Sequence, residues 1–562
     1  MSLFLTALAN VWRLLRNVRV RLLGRPPNFI WLEVAATLPE FETRLGFLRR
    51  RIPPGPAAPS LEGWRERFDR IADDGRPQGV VLCIRDLNAD WTALEELRRE
   101  ISRYREHGGW VVAYLTEPDT RSYYLACAAD EVLVSPVSTV NVTGVRTRVN
   151  FVKDALNGIG VEAEVIAVSP YKSAGDTFTR NDFSEEAREQ AERLLNGRFS
   201  VLVDAIATGR DITPEDARAK IDRAPFSVGD ALAENLIDGA CYEDELAVRL
   251  GTDGRASLAE WGRAQRALRV PYRTFSRRRV GMVSLSGTIV RGRSRKLPVP
   301  LPILGSEQAG SETVISALRA AEKNRRVAAV LFHVDSRGGD ALASDLIWRE
   351  VQRISAKKPV VVLMGAAAAS GGYYVSASAN HIVARSGTIT GSIGVIITRP
   401  VAAGLYEKLG INPVALDRGA HAGLMDPSRP PTSDELAVLE DQLGNFYDEF
   451  KDRVSKGRNM GLESLERIAG GRVWTGGEAR NLGLVDEVGG FREAFRKAAE
   501  LGGVEEDHGA LVKVLPPRSG RPMPGDPAEA ARETVNAAVR ALGELRGIRV
   551  WAAGPYDVFE GW

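Results

Sequence analysis

One serine of the chain stands in a setting suited to nucleophilic chemistry. The segment GAAAASGGYY (365–374) places Ser370 after an apolar run that predicts a strand and before Gly371, which opens a predicted helix. A serine at such a turn can present its hydroxyl beside backbone N–H groups that stabilise an oxyanion. The position also suits a helix N-cap, which is the commoner use of serine before a helix. The segment alone therefore allows a nucleophile or a cap.

A second glycine-rich turn follows another predicted strand. The sequence DSRGGDALASD (335–345) supplies Gly339, whose N–H together with that of Gly371 could bind an oxyanion. The alternative is a plain glycine turn in which Asp340 or Ser344 caps the following helix.

A serine nucleophile needs a base, and histidine is the first type to consider. His333 and His381 fall within predicted strands, which favours a role in the core, whereas His421, in a loop-like stretch, stays a weak candidate. The full set of histidines is His107, His333, His381, His421 and His508.

A lysine can serve instead if it is neutral. Its pKa, ordinarily about 10.4, would then have to fall by about 3 units through desolvation or a like charge. The segment AVSPYKSAGDTF (167–178) places Lys172 among small and aromatic residues and outside any charged run. Taken alone, such a lysine is more often a solvated surface residue.

An internal repeat organises the chain. Residues 108–172 align with residues 358–422 without gaps, at a constant offset of 250. The alignment continues upstream, where GVVLCIRD matches AAVLFHVD, and downstream, where FSVGDALAENLID matches WTGGEARNLGLVD. We therefore interpret the chain as two homologous domains in tandem.

The repeat also relates the serine to the lysine. Ser370 has Thr120 at its counterpart, and Lys172 has Ala422. The first half thus has the lysine without the serine, and the second half has the serine without the lysine. A catalytic Ser–Lys pair (a dyad) assembled from both repeats would explain this. Ser392, in TITGSIGV (388–395), could hydrogen-bond the lysine amine and orient it.

Each half has the pattern of an α/β domain. Short apolar runs predict buried strands: VVLCI, WVVAYL and EVLVS in the first half, and VAAVLFHV, PVVVLM and HIVA in the second. Helical patterns lie between them, and alternation of this kind predicts a layered domain with a largely parallel sheet. A long amphipathic helix is predicted after each core.

Composition shifts set the expected boundaries. We expect a basic N-terminal segment (1–27), a first repeat (28–270), a second repeat (275–502) and a C-terminal tail (503–562). Residues 51–60 read as a Pro-rich loop. Residues 291–311, which are basic and Pro-rich, predict a mobile loop.

Charge and cysteine usage exclude some functions. The net charge is only +2, from 75 basic and 73 acidic residues, which argues against a nucleic-acid binder. Three cysteines cannot form a disulfide framework, and Cys83 and Cys127 lie in apolar runs that predict burial. With no CxxC and no His/Cys cluster, we expect no structural zinc site.

The N-terminus is apolar and basic at once. Its apolar run is interrupted by arginines, so it does not supply the roughly 20 apolar residues of a spanning helix. It predicts an amphipathic basic helix on an anionic membrane surface, or an ordinary helix packed on the body.

Four segments together resemble one known family. They are ASGGYYVSASANHIVA around the serine, TGSIGV downstream, the Gly-Gly turn SRGGD, and YKSAGDTFTRNDFSEEAR around the lysine. Over about residues 60–500 the chain resembles the long form of the signal peptide peptidase A family.

The resemblance implies a role for each candidate residue. Ser370 would be the nucleophile, Lys172 the general base and proton donor, and Ser392 the residue that orients the lysine. Gly339 and Gly371 would form the oxyanion hole. The implied fold is two tandem Clp-protease/crotonase-like domains built of β-β-α units, with no metal or organic cofactor.

The resemblance further implies a homotetrameric endopeptidase that degrades cleaved signal peptides and other apolar peptides. It would act at the bacterial cytoplasmic membrane, peripherally or anchored by its N-terminal segment, although a soluble form is an alternative. Two other functions remain open: a crotonase-like acyl-thioester enzyme and an inactive membrane-associated scaffold.

Overall fold

The computed structural model describes residues 3–34, 36–41, 59–252, 254–272, 277–301, 305–505, 510–515 and 551–553. Its strands, in chain order, are β1 (Phe29–Val34), β2 (Gly79–Ile84), β3 (Trp110–Leu115), β4 (Glu131–Val134), β5 (Thr139–Val140), β6 (Glu162–Ala167), β7 (Phe226–Ser227), β8 (Gly239–Ala240), β9 (Leu258–Glu260), β10 (Arg279–Ser286), β11 (Thr288–Val290), β12 (Arg295–Leu301), β13 (Gly305–Gly310), β14 (Val327–Ser336), β15 (Gly338–Asp340), β16 (Val360–Ala369), β17 (His381–Ala384), β18 (Ile389–Gly391), β19 (Ile396–Val401), β20 (Val473–Thr475), β21 (Glu487–Val488), β22 (Leu511–Lys513) and β23 (Trp551–Ala553).

The helices, in chain order, are α1 (Leu3–Leu23), α2 (Leu61–Asp74), α3 (Trp91–Glu106), α4 (Thr120–Ala126), α5 (Lys153–Gly158), α6 (Asp176–Thr179), α7 (Glu185–Arg210), α8 (Pro214–Arg223), α9 (Val228–Ala233), α10 (Leu246–Arg249), α11 (Trp261–Ala267), α12 (Ser311–Lys323), α13 (Ala341–Ser355), α14 (Gly371–Ser376), α15 (Ala403–Lys408), α16 (Ser433–Arg458), α17 (Leu462–Glu466), α18 (Gly476–Asn481) and α19 (Phe491–Gly502). Short 3₁₀ helices lie at Ser173–Gly175 and Glu243–Glu245.

The chain forms two compact units. The first comprises residues 1–146 and 195–275, and the second comprises residues 147–194 and 276–561. The boundaries of the compact units therefore differ from those of the sequence repeats, because residues 147–194 of the first repeat belong to the second unit.

The first unit is built on a parallel sheet in the order β8-β4-β3-β2-β1-β9. Every residue of β2 is buried, as expected for a parallel strand covered on both faces. Helix α3 begins at an Asp90 N-cap, whose carboxylate accepts the Ala93 N–H. The strands and helices predicted in this half are confirmed.

The second unit contains a corresponding sheet in the order β20-β18-β16-β14-β10-β22, with β17 beside β16. The pairs β10–β14, β14–β16 and β16–β18 are parallel, and β18–β20 is antiparallel. Phe332, Tyr373 and Phe450 are among the residues of its core. The strands and helices predicted here are also found.

A second sheet of this unit has the order β12-β13-β11-β15-β23-β19-β6. Strand β6 comes from the first sequence repeat and pairs antiparallel with β19 over six residues. This pairing attaches residues 147–194 to the second unit. Strand β23, from the C-terminal tail, pairs antiparallel with β15 and with Ile396 of β19.

The order of elements recurs at the offset read from the sequence. Strands β3 and β16 begin at Trp110 and Val360, β4 and β17 at Glu131 and His381, and helices α5 and α15 at Lys153 and Ala403, 250 residues apart in each case. The correspondence is interrupted after α5 and α15, since β6 has no strand at its counterpart, residues 412–417. It resumes with helices α7 and α16, which begin at Glu185 and Ser433.

One loop prediction is wrong. Residues 295–301 and 305–310 form the antiparallel strands β12 and β13, although the basic, Pro-rich sequence predicted a mobile loop. Strand β12 is the edge strand of its sheet, where Pro298 and Pro300 are tolerated because an outward-facing backbone position needs no donor. Of the Pro-rich loop predicted at residues 51–60, residues 51–58 lie outside the described residues.

Helix α1 packs on the first unit by its polar side. The Asn17 amide donates to Val270 O over 2.9 Å and accepts the Val270 N–H over 2.8 Å, while Arg16 donates to Gln265 O. The other side of the helix is an exposed apolar face made of Leu8, Val11, Trp12, Leu15, Val18 and Leu22. Among the helices in the described ranges, none has the length and apolar character needed to cross a membrane.

The three cysteines are buried free thiols, as predicted for Cys83 and Cys127. Burial raises the pKa of each of these two thiols to about 11, which keeps them protonated and unreactive at neutral pH.

Candidate functional site

Ser370 forms a strained turn between β16 and α14. Its backbone has φ 53° and ψ −115°, a conformation that costs a non-glycine residue about 1–3 kcal/mol. The Ser370 N–H donates to Gly391 O over 2.8 Å, and the Tyr374 N–H donates to Ser370 O over 2.8 Å. The hydroxyl makes no capping hydrogen bond, so the N-cap alternative is not what the structure shows.

The Ser370 hydroxyl lies against Lys172 instead. The distance from Lys172 Nζ to Ser370 Oγ is 2.8 Å, and both residues are buried, with 1% of the lysine exposed. They are 198 residues apart in sequence and both belong to the second unit. The fold thus brings together the serine and the lysine that the repeat comparison had paired.

Ser392 makes two further contacts with the amine. Lys172 Nζ lies 2.9 Å from Ser392 Oγ and 2.9 Å from Ser392 O. The backbone of Ser392 has φ 52°, and its N–H donates to Arg472 O over 2.6 Å, which holds the residue in place. The lysine amine therefore has three oxygen neighbours in fixed positions.

Burial lowers the pKa of Lys172 well below its ordinary value, because desolvation disfavours the charged ammonium. The environment consequently favours the neutral amine, which carries two N–H donors and one lone pair. Ser392 O can only accept, so it takes one N–H, and Ser392 Oγ can take the second. The lone pair is then available to the Ser370 hydroxyl.

A Gly-Gly pair that the sequence analysis overlooked packs against the lysine. A Cβ added to Gly471 would lie 2.6 Å from Lys172 Cβ and 2.7 Å from Lys172 Cα, so a side chain there would displace the lysine. The neighbouring Gly470 O accepts a hydrogen bond from the Ser169 hydroxyl. The sequence does show this Gly-Gly pair, in AGGR (469–472), and it is similar to the Gly-Gly pair that includes Gly339.

The two glycines considered as oxyanion donors are adjacent. A Cβ added to Gly371 would lie 3.2 Å from Gly339 N, so the Gly339 amide is next to the residue that follows Ser370. Gly371 is the first residue of α14, where N–H groups have no partner within the helix. A Cβ on Gly339 would overlap Ile289 O, so only glycine fits that position.

Asp340 also fills the capping role considered for this turn. Its carboxylate accepts the Ala343 N–H over 2.8 Å at the start of α13, and Arg291 Nε donates to it over 3.1 Å. Asp340 therefore caps α13 while the neighbouring Gly339 amide lies close to Ser370, so the two interpretations of this turn are compatible.

Among the described residues, no histidine takes part in this arrangement. Within the described ranges, the hydrogen-bond partners of Ser370 Oγ are Lys172 Nζ and, more weakly at 3.5 Å, Gly394 O. His381 contacts Glu487, and His421, the weak candidate, is exposed in a turn. His508 lies outside the described residues.

Comparison with known proteins identifies the family of this chain. The model of Peptidase family S49 matches the chain twice, over residues 104–255 and 352–505. The chain belongs to Peptidase family S49. The two matches confirm the tandem repeat and the α/β fold class, and the chain is accordingly a serine peptidase of the signal peptide peptidase A and protease 4 type.

Relatives of this S49 chain cover most of its length. The serine protease SPPA, chloroplastic, of Arabidopsis thaliana is 33% identical over 465 residues, which are 81% of this chain and 67% of that protein. Protease 4 of Haemophilus influenzae is 32% identical over 462 residues, 78% of this chain and 72% of that protein.

A shorter match is the putative signal peptide peptidase SppA of Enterococcus faecium, 34% identical over 221 residues, 37% of this chain and 64% of that protein. Among solved structures, a ClpP1 mutant from Listeria monocytogenes aligns with 38% of this chain and 94% of its own, at 14% identity and a TM-score of 0.25.

Proposed function

We propose that this S49 peptidase uses a Ser–Lys dyad, with Ser370 as nucleophile and Lys172 as general base and proton donor. Ser392 orients the lysine amine, and the amides of Gly339 and Gly371 stabilise the oxyanion. The observation that carries the proposal is the 2.8 Å contact between Lys172 Nζ and Ser370 Oγ at a site that favours a neutral amine. The proposed residues belong to one compact unit.

The proposed reaction is acyl transfer from a peptide bond. Neutral Lys172 accepts the Ser370 proton as Oγ attacks the carbonyl carbon, and the two glycine amides bind the negative oxygen of the tetrahedral intermediate. The Lys172 ammonium then gives its proton to the leaving amine, which releases the first product. Water, deprotonated by the same lysine, attacks the acyl-enzyme ester, and the proton returns to Ser370 Oγ as the acid product leaves.

Reaction of Ser370 with a fluorophosphonate tests the dyad through its pH dependence. The lysine accepts a proton only when neutral, so the labelling rate of the full-length protein should rise with pH through the lowered pKa of Lys172 and fall below it. Labelled peptides are identified by mass spectrometry.

Two variants serve as controls for this experiment. Ser370→Ala should take up no label, and Lys172→Ala should label far more slowly than the unaltered chain at every pH. A labelling rate in Lys172→Ala equal to that of the unaltered chain from about pH 6 to 10 would contradict a lysine base. Absence of label together with absence of peptidase activity would favour the inactive scaffold.

We propose apolar peptides, including cleaved signal peptides, as substrates. The segment before Ser370 consists of Gly365 and four alanines, so the end of β16 carries no charge. Tyr373, which the sequence placed near the nucleophile, is instead part of the core, because it is fully buried and its hydroxyl donates to Leu484 O over 2.9 Å. The relative described as a putative signal peptide peptidase supports the same substrate class.

We propose that the peptidase acts at the surface of the bacterial cytoplasmic membrane, with α1 lying in the interface. The apolar face of α1 is exposed, and Trp12 belongs to the residue types enriched at membrane interfaces. Arg13 and Arg16 donate to backbone carbonyls of the first unit, whereas Arg19 and Arg21 are exposed and available to anionic lipid.

A charge placed in the apolar face should abolish membrane binding. Val18→Glu puts a carboxylate where lipid contact is proposed, so co-sedimentation with vesicles of anionic and zwitterionic phospholipid should fall to background. Val248→Glu is the matched control, since Val248 is an exposed valine elsewhere on the first unit. Equal binding by the two variants would refute the role of α1.

We also propose that the peptidase self-associates, as a homotetramer, as the resemblance implied. Leu409, Ile411, Val414 and Leu416 form an exposed apolar stretch in the second unit, and such stretches are typical of surfaces that are covered in an assembly.

A further inference from the structure

One buried glutamine bridges two backbone segments that support the proposed dyad. Gln190 lies in helix α7 and is 3% exposed. Its Nε2 donates to Tyr171 O over 3.0 Å, and its Oε1 accepts the Val473 N–H over 3.0 Å. Three buried positions near it on the helix are apolar, namely Ala187, Ala191 and Leu194. A buried amide among apolar residues is costly unless it is hydrogen-bonded, and here both the donor and the acceptor are bonded.

Each hydrogen bond of this amide ends next to the proposed dyad or its support. Tyr171 immediately precedes Lys172 in the chain. Val473 immediately follows Arg472, whose carbonyl accepts the Ser392 N–H over 2.6 Å. The glutamine amide therefore ties the segment that carries the lysine to the segment that holds Ser392.

Val473 belongs to the sheet that carries Ser370. In the antiparallel pair of β18 and β20 it lies opposite Gly391, whose carbonyl accepts the Ser370 N–H over 2.8 Å. The Val473 carbonyl accepts a hydrogen bond from Arg193, about one turn beyond Gln190. Helix α7 thus binds the N–H and the carbonyl of one residue in the edge strand β20, which fixes the helix on this sheet.

The segment that carries the lysine has no strand of its own. Residues 169–172 form bends and turns after β6, so regular backbone pairing does not fix them. A Cβ on Gly471 would lie 2.6 Å from Lys172 Cβ, so the lysine cannot move further toward this glycine. The glutamine bridge opposes a shift in the other direction, together with the hydrogen bond from Ser169 to Gly470 O.

We propose that Gln190 is a positioning residue for the peptidase reaction. Through its two hydrogen bonds it holds Lys172 at the distance from Ser370 and Ser392 that proton transfer requires. The contacts of the lysine amine with the two serine hydroxyls are 2.8 and 2.9 Å long, and a displacement of about 1 Å can lower a rate about 100-fold. The inference rests on the proposed dyad and adds to it a residue that is bonded to backbone groups and not to the reacting atoms.

Substitution of the glutamine by methionine tests this role through kinetics. Methionine has nearly the same length and volume but bonds neither Tyr171 O nor the Val473 N–H. Gln190→Met in the full-length protein should lower kcat on a fluorogenic apolar peptide about 10- to 100-fold. KM should stay within about twofold, because the change is in the geometry of the dyad and not in the contacts with substrate.

Two further variants separate this effect from a loss of folding. Gln190→Glu keeps the shape of the side chain and can accept the Val473 N–H, but an ionised carboxylate cannot donate to Tyr171 O, so kcat should fall here too. Gln308→Met is the matched control, because Gln308 is another buried glutamine of the second unit, whose Oε1 accepts from Arg295 over 2.8 Å. The control should keep kcat within about twofold even where its Tm falls as far as that of Gln190→Met.

Labelling of Ser370 by a fluorophosphonate shows whether the glutamine acts through the lysine. Gln190→Met alone should slow labelling about 10- to 100-fold, whereas in a chain that already carries Lys172→Ala it should slow the residual labelling by less than about twofold. A purely structural role would lower labelling by the same factor in both backgrounds.

The outcomes distinguish the inference from the proposed function. An unchanged kcat in folded Gln190→Met and Gln190→Glu, an equal loss in Gln308→Met, or equal slowing of labelling in both backgrounds would overturn the inference and leave the dyad in place. If Lys172→Ala labels as fast as the unaltered chain, the dyad fails and the inference fails with it.

Discussion

Replacing Ser370 by alanine is expected to remove peptidase activity while the protein stays folded. Without Oγ there is no nucleophile and no acyl-enzyme, so kcat should fall by at least about 10⁴-fold, measured on an unstructured apolar peptide with a fluorogenic reporter. Folding should be retained because the strained turn is held by backbone hydrogen bonds to Gly391 and from Tyr374, which alanine preserves.

Ser376→Ala is the matched control for that change. Ser376 is a buried serine in α14, the helix that follows Ser370, and its hydroxyl donates to Gly372 O over 2.8 Å, away from Lys172. Its loss should cost about 1 kcal/mol of stability and leave kcat within a few-fold. Activity that survives in Ser370→Ala, or an equal loss in both variants, would show that Ser370 is not the nucleophile.

Replacing Lys172 by methionine is expected to abolish activity and to stabilise the protein. Methionine fills nearly the same volume but cannot accept the Ser370 proton, so kcat should fall by several orders of magnitude. The buried amine is desolvated, and removal of a group whose charged form is disfavoured should raise the Tm of the second unit.

The sign of the pH dependence follows from the lowered pKa. Between the folded and the unfolded pKa of Lys172 the unfolded state binds one more proton than the folded state, so stability rises with pH across that window. Below the folded-state pKa of Lys172, the folded state carries the full free-energy cost of burying the charged ammonium. The Tm advantage of Lys172→Met should therefore be largest in acid and disappear near pH 10.4, the approximate unfolded value.

Lys172→Arg separates the stability effect from the catalytic one. Arginine keeps a charge that cannot be lost, so this variant should be inactive and less stable than the unaltered chain. Calorimetry of the three proteins over pH gives the comparison. A methionine variant less stable than the unaltered chain at every pH would mean that the contacts with Ser370 and Ser392 outweigh the desolvation of the amine.

The contact between Ser370 and Lys172 could be predicted because the repeat made the two halves of the chain comparable. Ser370 and Lys172 each stand opposite a residue without that chemistry, Thr120 and Ala422, and this asymmetry is visible in sequence alone. The strands around Ser370 were equally predictable, since parallel strands buried on both faces are continuous apolar runs.

Features that depend on partners distant in sequence could not be predicted. Proline in β12 is compatible with a strand only because that strand is an edge, which the sequence does not state. Gly471 looks like an ordinary turn residue until Lys172 is packed against it. The orientation of α1 was likewise hidden, since an amphipathic pattern does not say which face meets the protein, and here the polar face does.

The distribution of the proposed dyad along the chain has a consequence for biosynthesis. Lys172 is translated 198 residues before Ser370, and Arg472, whose carbonyl holds Ser392, follows about a hundred residues later still. A ribosome-bound chain therefore carries Lys172 without Ser370, and later carries Ser370 before the residues around it are complete. Because catalytic power would appear only when nearly the whole second unit has been made and folded, the order of synthesis itself would protect neighbouring nascent chains from hydrolysis.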